Sequence, residues 1–173
     1  MIFELSKSGN PLFREIHPLL AGLLRTIVED PWERYPEGST RLLPPPGDNE
    51  EICLDWQDHV QPDLRRHFDS ERTAVERDLE AMKQGNGKKT PFTLEIPRQN
   101  VDAWLVTLNV IRLALSTEFQ LGETELNGLR TSDSPLDLTT ARGLALVQVN
   151  LFAFMQECII SSMDGYVDDT EMG

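Results

Sequence analysis

Two stretches of this chain set polar side chains into otherwise apolar helical runs. WLVTLNVIRLAL (104–115) is interrupted by Asn109 and Arg112, and FAFMQECI (152–159) by Gln156 and Glu157. Asn109 and Arg112 are three apart and so share one helix face. A guanidinium removed from water must be paired, because the penalty for an isolated buried ion is several kcal/mol. Glu157 is the only acid between Arg142 and Asp164. An Arg112–Glu157 ion pair between two helices is therefore the expected structural arrangement. The competing chemistry is a binding site, since the planar fork of an arginine suits a carboxylate or phosphate supplied by a ligand or partner. Asn109, Arg112, Gln156 and Glu157 form the candidate polar cluster under either reading.

Other chemistry is weakly supported. His59, Asp63 and His67 recur every four residues, which would align three metal ligands on a continuous helix, but Pro62 argues for a break between them. No metal and no cofactor is expected. Cys53 and Cys158 lack Cys-x-x-Cys spacing and companion histidines, and read as reduced packing residues. Nucleophile-elbow, phosphate-loop and dinucleotide fingerprints are absent, so no catalytic residue is assigned. Acidic pairs such as Glu50-Glu51 read as solvated charge in so acidic a chain.

The formal charge is −13 over 173 residues, with 12 Lys+Arg against 17 Asp+Glu in residues 1–89 and 4 against 12 in 90–173. A negative field over both halves opposes nucleic acid and anionic lipid, which are bound largely through Lys and Arg. The N-terminus has no basic region leading into an apolar run, and the longest uncharged run, Gly143 to Gln156, is too short for a bilayer span. A cytoplasmic location is the expectation.

The elements that must carry these residues follow from periodicity. The fold class is mainly α: a bundle of about four long helices with a small antiparallel hairpin or three-stranded sheet near the N-terminus, in one domain over 1–173. IFEL (2–5) and LFREI (12–16) read as strands joined by a Gly9-Asn10 turn, with FTLEI (92–96) as a third. Helices are expected at Pro18 to about Glu29, 62–84, about Pro97 to Phe119, and about Thr139 to Met163. Prolines at first turns cost no hydrogen bond. Residues 31–50 read as a surface loop, with a short helix after Asp48 carrying Ile52, Cys53 and Trp56. GNGKKT (85–90) reads as a flexible connection, the segment between the last two helices as a polar loop, and 164–173 as an acidic mobile tail.

At the signature helix a family resemblance enters. WLVTLNVIRLAL, with Trp104, Leu105, Leu108, Asn109, Arg112, Leu113 and Leu115, resembles the signature helix of a bacterial family of unknown function whose genes often neighbour that of the Clp protease adaptor. FAFMQECI, with Phe154, Met155, Gln156 and Glu157, is similar to that family's last helix. Ser116 stands where the family usually has glycine, Leu151 and Phe152 replace a tryptophan-leucine pair, and residues 31–60 match poorly. The resemblance implies a small intracellular protein, a regulator linked to proteolysis, with no established activity.

The function expected from all this is non-enzymatic: an interaction or regulatory protein with a protein partner, and no nucleic acid or membrane. The alternative is a small-ligand binder or pocket enzyme using Arg112 and Glu157. A transcription regulator is weaker, because no helix joins a basic face to a helix-turn-helix glycine. Self-association through the last helix, as a symmetric dimer, is also expected. Leu144, Leu146, Val147, Val149, Leu151, Phe152, Phe154 and Met155 cover more than the one stripe a single neighbour would bury.

Overall fold

The computed structural model describes residues 1–36, 41–85, 90–122 and 138–164. The expected polar loop before the last helix, most of GNGKKT and the acidic tail beyond Asp164 lie outside the described residues. Strand β1 (Ile2–Leu5) and strand β2 (Pro11–Ile16) form the anticipated hairpin, in register Phe3 to Phe13. Its turn needs Gly9, whose φ of 77° is one that side chains resist. Asn10 returns its carbonyl to the Ser6 N–H at 2.9 Å.

Helix α1 (Pro18–Arg25) is shorter than the periodicity predicts, ending in a 3₁₀ turn over Thr26–Val28. Thr26 Oγ1 donates to the Leu23 carbonyl at 2.8 Å, a back-bond of the kind that competes with regular helix. Residues 31–50 are not all loop. Pro31–Arg34 makes a single turn, α2, capped by Asp30 Oδ1 on the Trp32 N–H at 2.9 Å, and Pro31, Tyr35 and Leu43 are buried.

The expected break at Pro62 is absent. Helix α3 (Glu50–Asp55) begins where the Asn49 side chain accepts from the Glu51 and Ile52 N–H groups, with acids in its first turn. It runs through a π turn (Trp56–Val60) directly into α4 (Gln61–Glu80). Pro62 has no N–H to give to an i−4 carbonyl. The π turn just before it, in which the Gln61 N–H reaches back to Trp56, absorbs that missing bond without ending the helix.

The chain then adds an edge strand that the periodicity placed inside a helix, β3 (Lys83–Gln84), paired to β4 (Phe92–Glu95). The sheet thus has four antiparallel strands rather than three, ordered β1-β2-β4-β3. Its inner face is made by Phe13, Ile16, Phe92 and Leu94, which alternate with exposed neighbours. Helix α5 (Val101–Glu118) packs between α4 and the last helix, α6 (Ala141–Asp164), and supplies Trp104, Leu108, Ile111 and Leu115 to the core, where Phe152, Met155 and Ile159 meet them. By length and composition α6 could cross a bilayer. About a third of it is buried, in contacts with α5 and β2.

The bulge in β2 holds a non-glycine residue at positive φ. Between the pairs Phe13–Leu94 and Ile16–Phe92 the strand holds one residue more than β4, and Glu15 sits there at φ 54°. Glu15→Gly is expected to gain about 0.5 kcal/mol, because glycine takes this conformation freely and offsets part of that gain through unfolded-state entropy. Glu15→Val, β-branched, is expected to lose about 1 kcal/mol. Urea midpoints check both; equal midpoints would show that the bulge stores no strain.

Candidate functional site

The four residues of the sequence-derived cluster do not converge. Asn109 is exposed on the outer face of α5, and Glu157 is exposed on α6. Arg112 is half-buried at the α5–α6 seam, and its Nη1 donates to Gln156 Oε1 rather than reaching Glu157. The Gln156 Nε2 donates in turn to the Leu105 carbonyl at 3.1 Å. The anticipated ion pair is therefore replaced by an amide relay. The physical reason is helical phase: Gln156 follows the core residues Phe152 and Met155 around α6, whereas one more residue turns Glu157 by about 100° toward solvent. The Arg112 Nε is buried without a hydrogen-bond partner, and burial pulls the guanidinium below the usual arginine value. On the same helix, burial first and then the charge of Glu157 push the Cys158 thiol up.

The best-satisfied polar site lay outside the sequence reading. Asp78 on α4 is buried at 8% exposure, yet its carboxylate accepts from Asn100 Nδ2 at 3.0 Å on each oxygen and from Trp104 Nε1 at 2.9 Å. A charge on a mostly solvated helix gave no hint of this. The signal that could have found it is Trp104, whose indole N–H needs an acceptor once buried. Gln148, also buried, donates to Thr26 Oγ1 at 2.8 Å and ties α6 to the 3₁₀ turn. These contacts hold α4 to α5 and α6 to the 3₁₀ turn after α1.

The metal spacing around Pro62 gathers nothing. His67 Nδ1 lies 3.5 Å from Glu71, Asp63 pairs with Arg66, and among the described residues no three His, Cys, Asp or Glu side chains are placed to hold a metal ion.

Two surface features meet on α4. One is a narrow crevice between α2, α4 and α5, with an enclosed volume of about 10 Å³, scarcely room for one water. Ile27, Val110 and Ile111 wall it, with Trp32 and Phe68, stacked at 5.9 Å and 23°, on one side. Thr107, 4% exposed, lines it with a hydroxyl that has no hydrogen-bond partner. Arginines ring it: Arg65 lies over the Trp32 ring at 5.2 Å, and Arg72 is paired with Asp69 at 2.8 Å. The other feature is the helical arm of α3, the π turn and the start of α4. Nothing between Pro44 and Pro62 is buried, and Ile52, Leu54 and Val60 are 54%, 55% and 42% exposed.

Comparison with protein families finds a model of a domain of unknown function, DUF2017, matched over residues 13–163. The chain belongs to this family. The DUF2017 match takes in the Arg112 seam, the Asp78 site, the crevice and the arm, and leaves β1 outside it. Neither the curated proteins nor the solved structures give a match.

Within this DUF2017 member, the apolar surplus of the last helix is partly consumed internally, and Ile160 and Met163 further along it are exposed. Val149, Leu151, Phe152 and Met155 are buried, Leu144, Leu146 and Val147 are half-buried, and of the eight residues in that surplus only Phe154 is exposed. A helix with several neighbours accounts for more than one apolar stripe. The β-turn shows a separate local effect. Glu95 accepts from Asn10 Nδ2 at 2.9 Å and Ser8 Oγ at 3.3 Å, and hydrogen bonds from Asn10, then Ser6, hold its carboxyl below the usual range. With a folded value below the unfolded one, the stabilisation is present above the unfolded value and is lost as pH falls through the folded one. Asn10→Ala should return the Glu95 titration midpoint toward normal in an NMR titration. An unmoved midpoint would assign the shift elsewhere.

Proposed function

We propose that this chain is a non-enzymatic interaction protein of the cell interior, regulatory in character, which engages a protein partner through its helical arm. The observation that carries this reading is the grouping of exposed apolar side chains on one element. Ile52, Leu54 and Val60 stand in water along a segment that holds six acids and no Lys or Arg between Asp48 and Asp63. Scattered exposed apolar residues are ordinary, but three grouped on one short helical segment, Ile52 and Val60 toward one side and Leu54 about 200° round from Ile52, mark a segment that is covered in use. An amphipathic helix laid in a groove is the corresponding recognition mode. The resemblance to a family encoded beside the Clp protease adaptor supports intracellular proteolysis as the process.

The test is a photo-crosslinking amino acid at Leu54 in the intact protein, exposed in the cytoplasm of its own source. A defined protein adduct is expected, absent when Ile52→Glu is added and retained with Arg112→Met. No adduct from the arm would end this reading.

A second reading, an anion-binding protein, is favoured by one observation: among the described residues the buried Arg112 Nε has no hydrogen-bond partner and no carboxylate pairs with the guanidinium. A carboxylate or phosphate would supply both needs.

A further inference from the structure

The apolar residues of the arm form a row at every fourth position: Ile52, Trp56, Val60, Leu64 and Phe68. In an unbroken α-helix such a row drifts by about 40° per step. The wider π turn over Trp56–Val60 drifts back the other way and keeps the row on one side of the arm. The row extends about 24 Å at the α-helical rise. Its last member is anchored on the body, where Phe68 stacks on Trp32 beside the crevice; Trp56 and Leu64 are half-buried, and Ile52 and Val60 are exposed.

Charge along the arm is polarised. Residues 48–63 hold six acids and no Lys or Arg, whereas residues 64–73 carry Arg65, Arg66 and Arg72 against Asp69 and Glu71. The acidic half cannot lie comfortably on another acidic half, but it is complementary to the arginine-bearing half of the same helix.

We propose that the arm is a self-docking element. Two copies of this chain pair antiparallel across a two-fold axis near Val60, each acidic half lying on the other's arginine-bearing half. Ile52 and Phe68 are each eight residues from Val60, so the antiparallel arrangement brings Ile52 of one copy to Phe68 and the mouth of the crevice on the other. The contact is isologous and closes as a dimer. A parallel arrangement would stack acid on acid, so the charge gradient selects the direction. This inference rests on the interaction reading above and names the second copy as the occupant.

Sedimentation velocity of the full-length protein across micromolar concentrations tests it. A dimer is expected at low salt, weakening as salt rises. Val60 is exposed in the single chain, so Val60→Glu should leave helical circular dichroism, and the urea midpoint read at dilution below the dimer Kd, unchanged while raising the dimer Kd at least about tenfold. Charge reversal gives the discriminating arm. Asp55→Lys with Asp58→Lys in one preparation, and Arg65→Glu with Arg66→Glu in another, should each be monomeric. Their mixture should form a heterodimer, because both contacts are then complementary again. Phe154→Glu, on α6, should leave the dimer intact. A strict monomer, a dimer insensitive to Val60→Glu, a mixture that fails to associate, or a dimer lost with Phe154→Glu would each overturn the pairing. The crosslinking result at Leu54 stands or falls separately, since a different protein caught there retains the interaction reading without the self-docking.

Discussion

Asp78→Leu is expected to lower stability by about 3–4 kcal/mol, a large share of what a domain of this size has to lose. The carboxylate is buried and accepts from Asn100 on both oxygens and from the Trp104 indole. Leucine fills much of the volume but leaves those donors without an acceptor, and each buried orphan costs about 1–3 kcal/mol. The loss is sharpened by position. Asn100 precedes the first turn of α5, and Trp104 is a fully buried side chain one turn further on, so the site fixes where α5 begins against α4. Asp78→Asn keeps one acceptor oxygen and should cost about half as much. Trp104→Phe removes the donor along with part of the ring. In a double-mutant cycle with Asp78→Leu, the two changes should couple by about 1 kcal/mol or more, since the orphaned N–H is gone. Urea unfolding with an unchanged m-value provides the measurement. An Asp78→Leu midpoint equal to that of the parent would show the carboxylate to be replaceable.

That this site was invisible in the sequence, while the helices holding it were plain, follows from what periodicity records. Trp104, Leu108, Ile111 and Leu115 repeat at helical spacing, so α5 could be read directly, as could the hairpin from its Gly9 turn and the strand-to-proline-to-helix steps at Pro18 and Pro97. Periodicity reports which face of an element is buried. It does not report which neighbouring element supplies a partner, so Asp78 looked like one more charge on a solvated helix.

The same gap displaced the partner of Arg112 by one residue. Both Gln156 and Glu157 were candidates, and the choice depends on a rotation of α6 about its own axis that is set by Phe152, Met155 and Ile159 together. Pro62 misled in a different way. Its missing N–H is a local fact, but whether the helix stops or shifts to a π turn is decided by the cost of interrupting a helix already capped at Asn49. Strand β3, only two residues long, has no pattern of its own and exists because β4 presents an edge.

The amide relay changes what mutation of the seam should do. Had Arg112 been held by Glu157, removing the arginine would strand a carboxylate and cost about 3–5 kcal/mol. With Gln156 as acceptor the asymmetry reverses. Gln156→Leu leaves a half-buried guanidinium without its hydrogen-bond partner and should lower stability by about 2 kcal/mol. Arg112→Met removes the charge together with the need for a partner, and Gln156 keeps its bond to the Leu105 carbonyl, so about 1 kcal/mol is expected. The double variant should recover most of the Gln156→Leu loss. Glu157→Gln, on the exposed side, should change stability by less than about 0.5 kcal/mol. A Glu157→Gln loss larger than the Gln156→Leu loss would restore the ion pair and refute the relay.

The same set of variants decides the anion reading. If the buried Nε takes a carboxylate or phosphate, millimolar acetate or inorganic phosphate should raise the melting temperature of the parent at constant ionic strength, and Arg112→Met should abolish that rise. Equal responses from the parent and Arg112→Met would make Arg112 a structural residue alone, its fork turned inward to Gln156 to lock the rotation of α6 on α5.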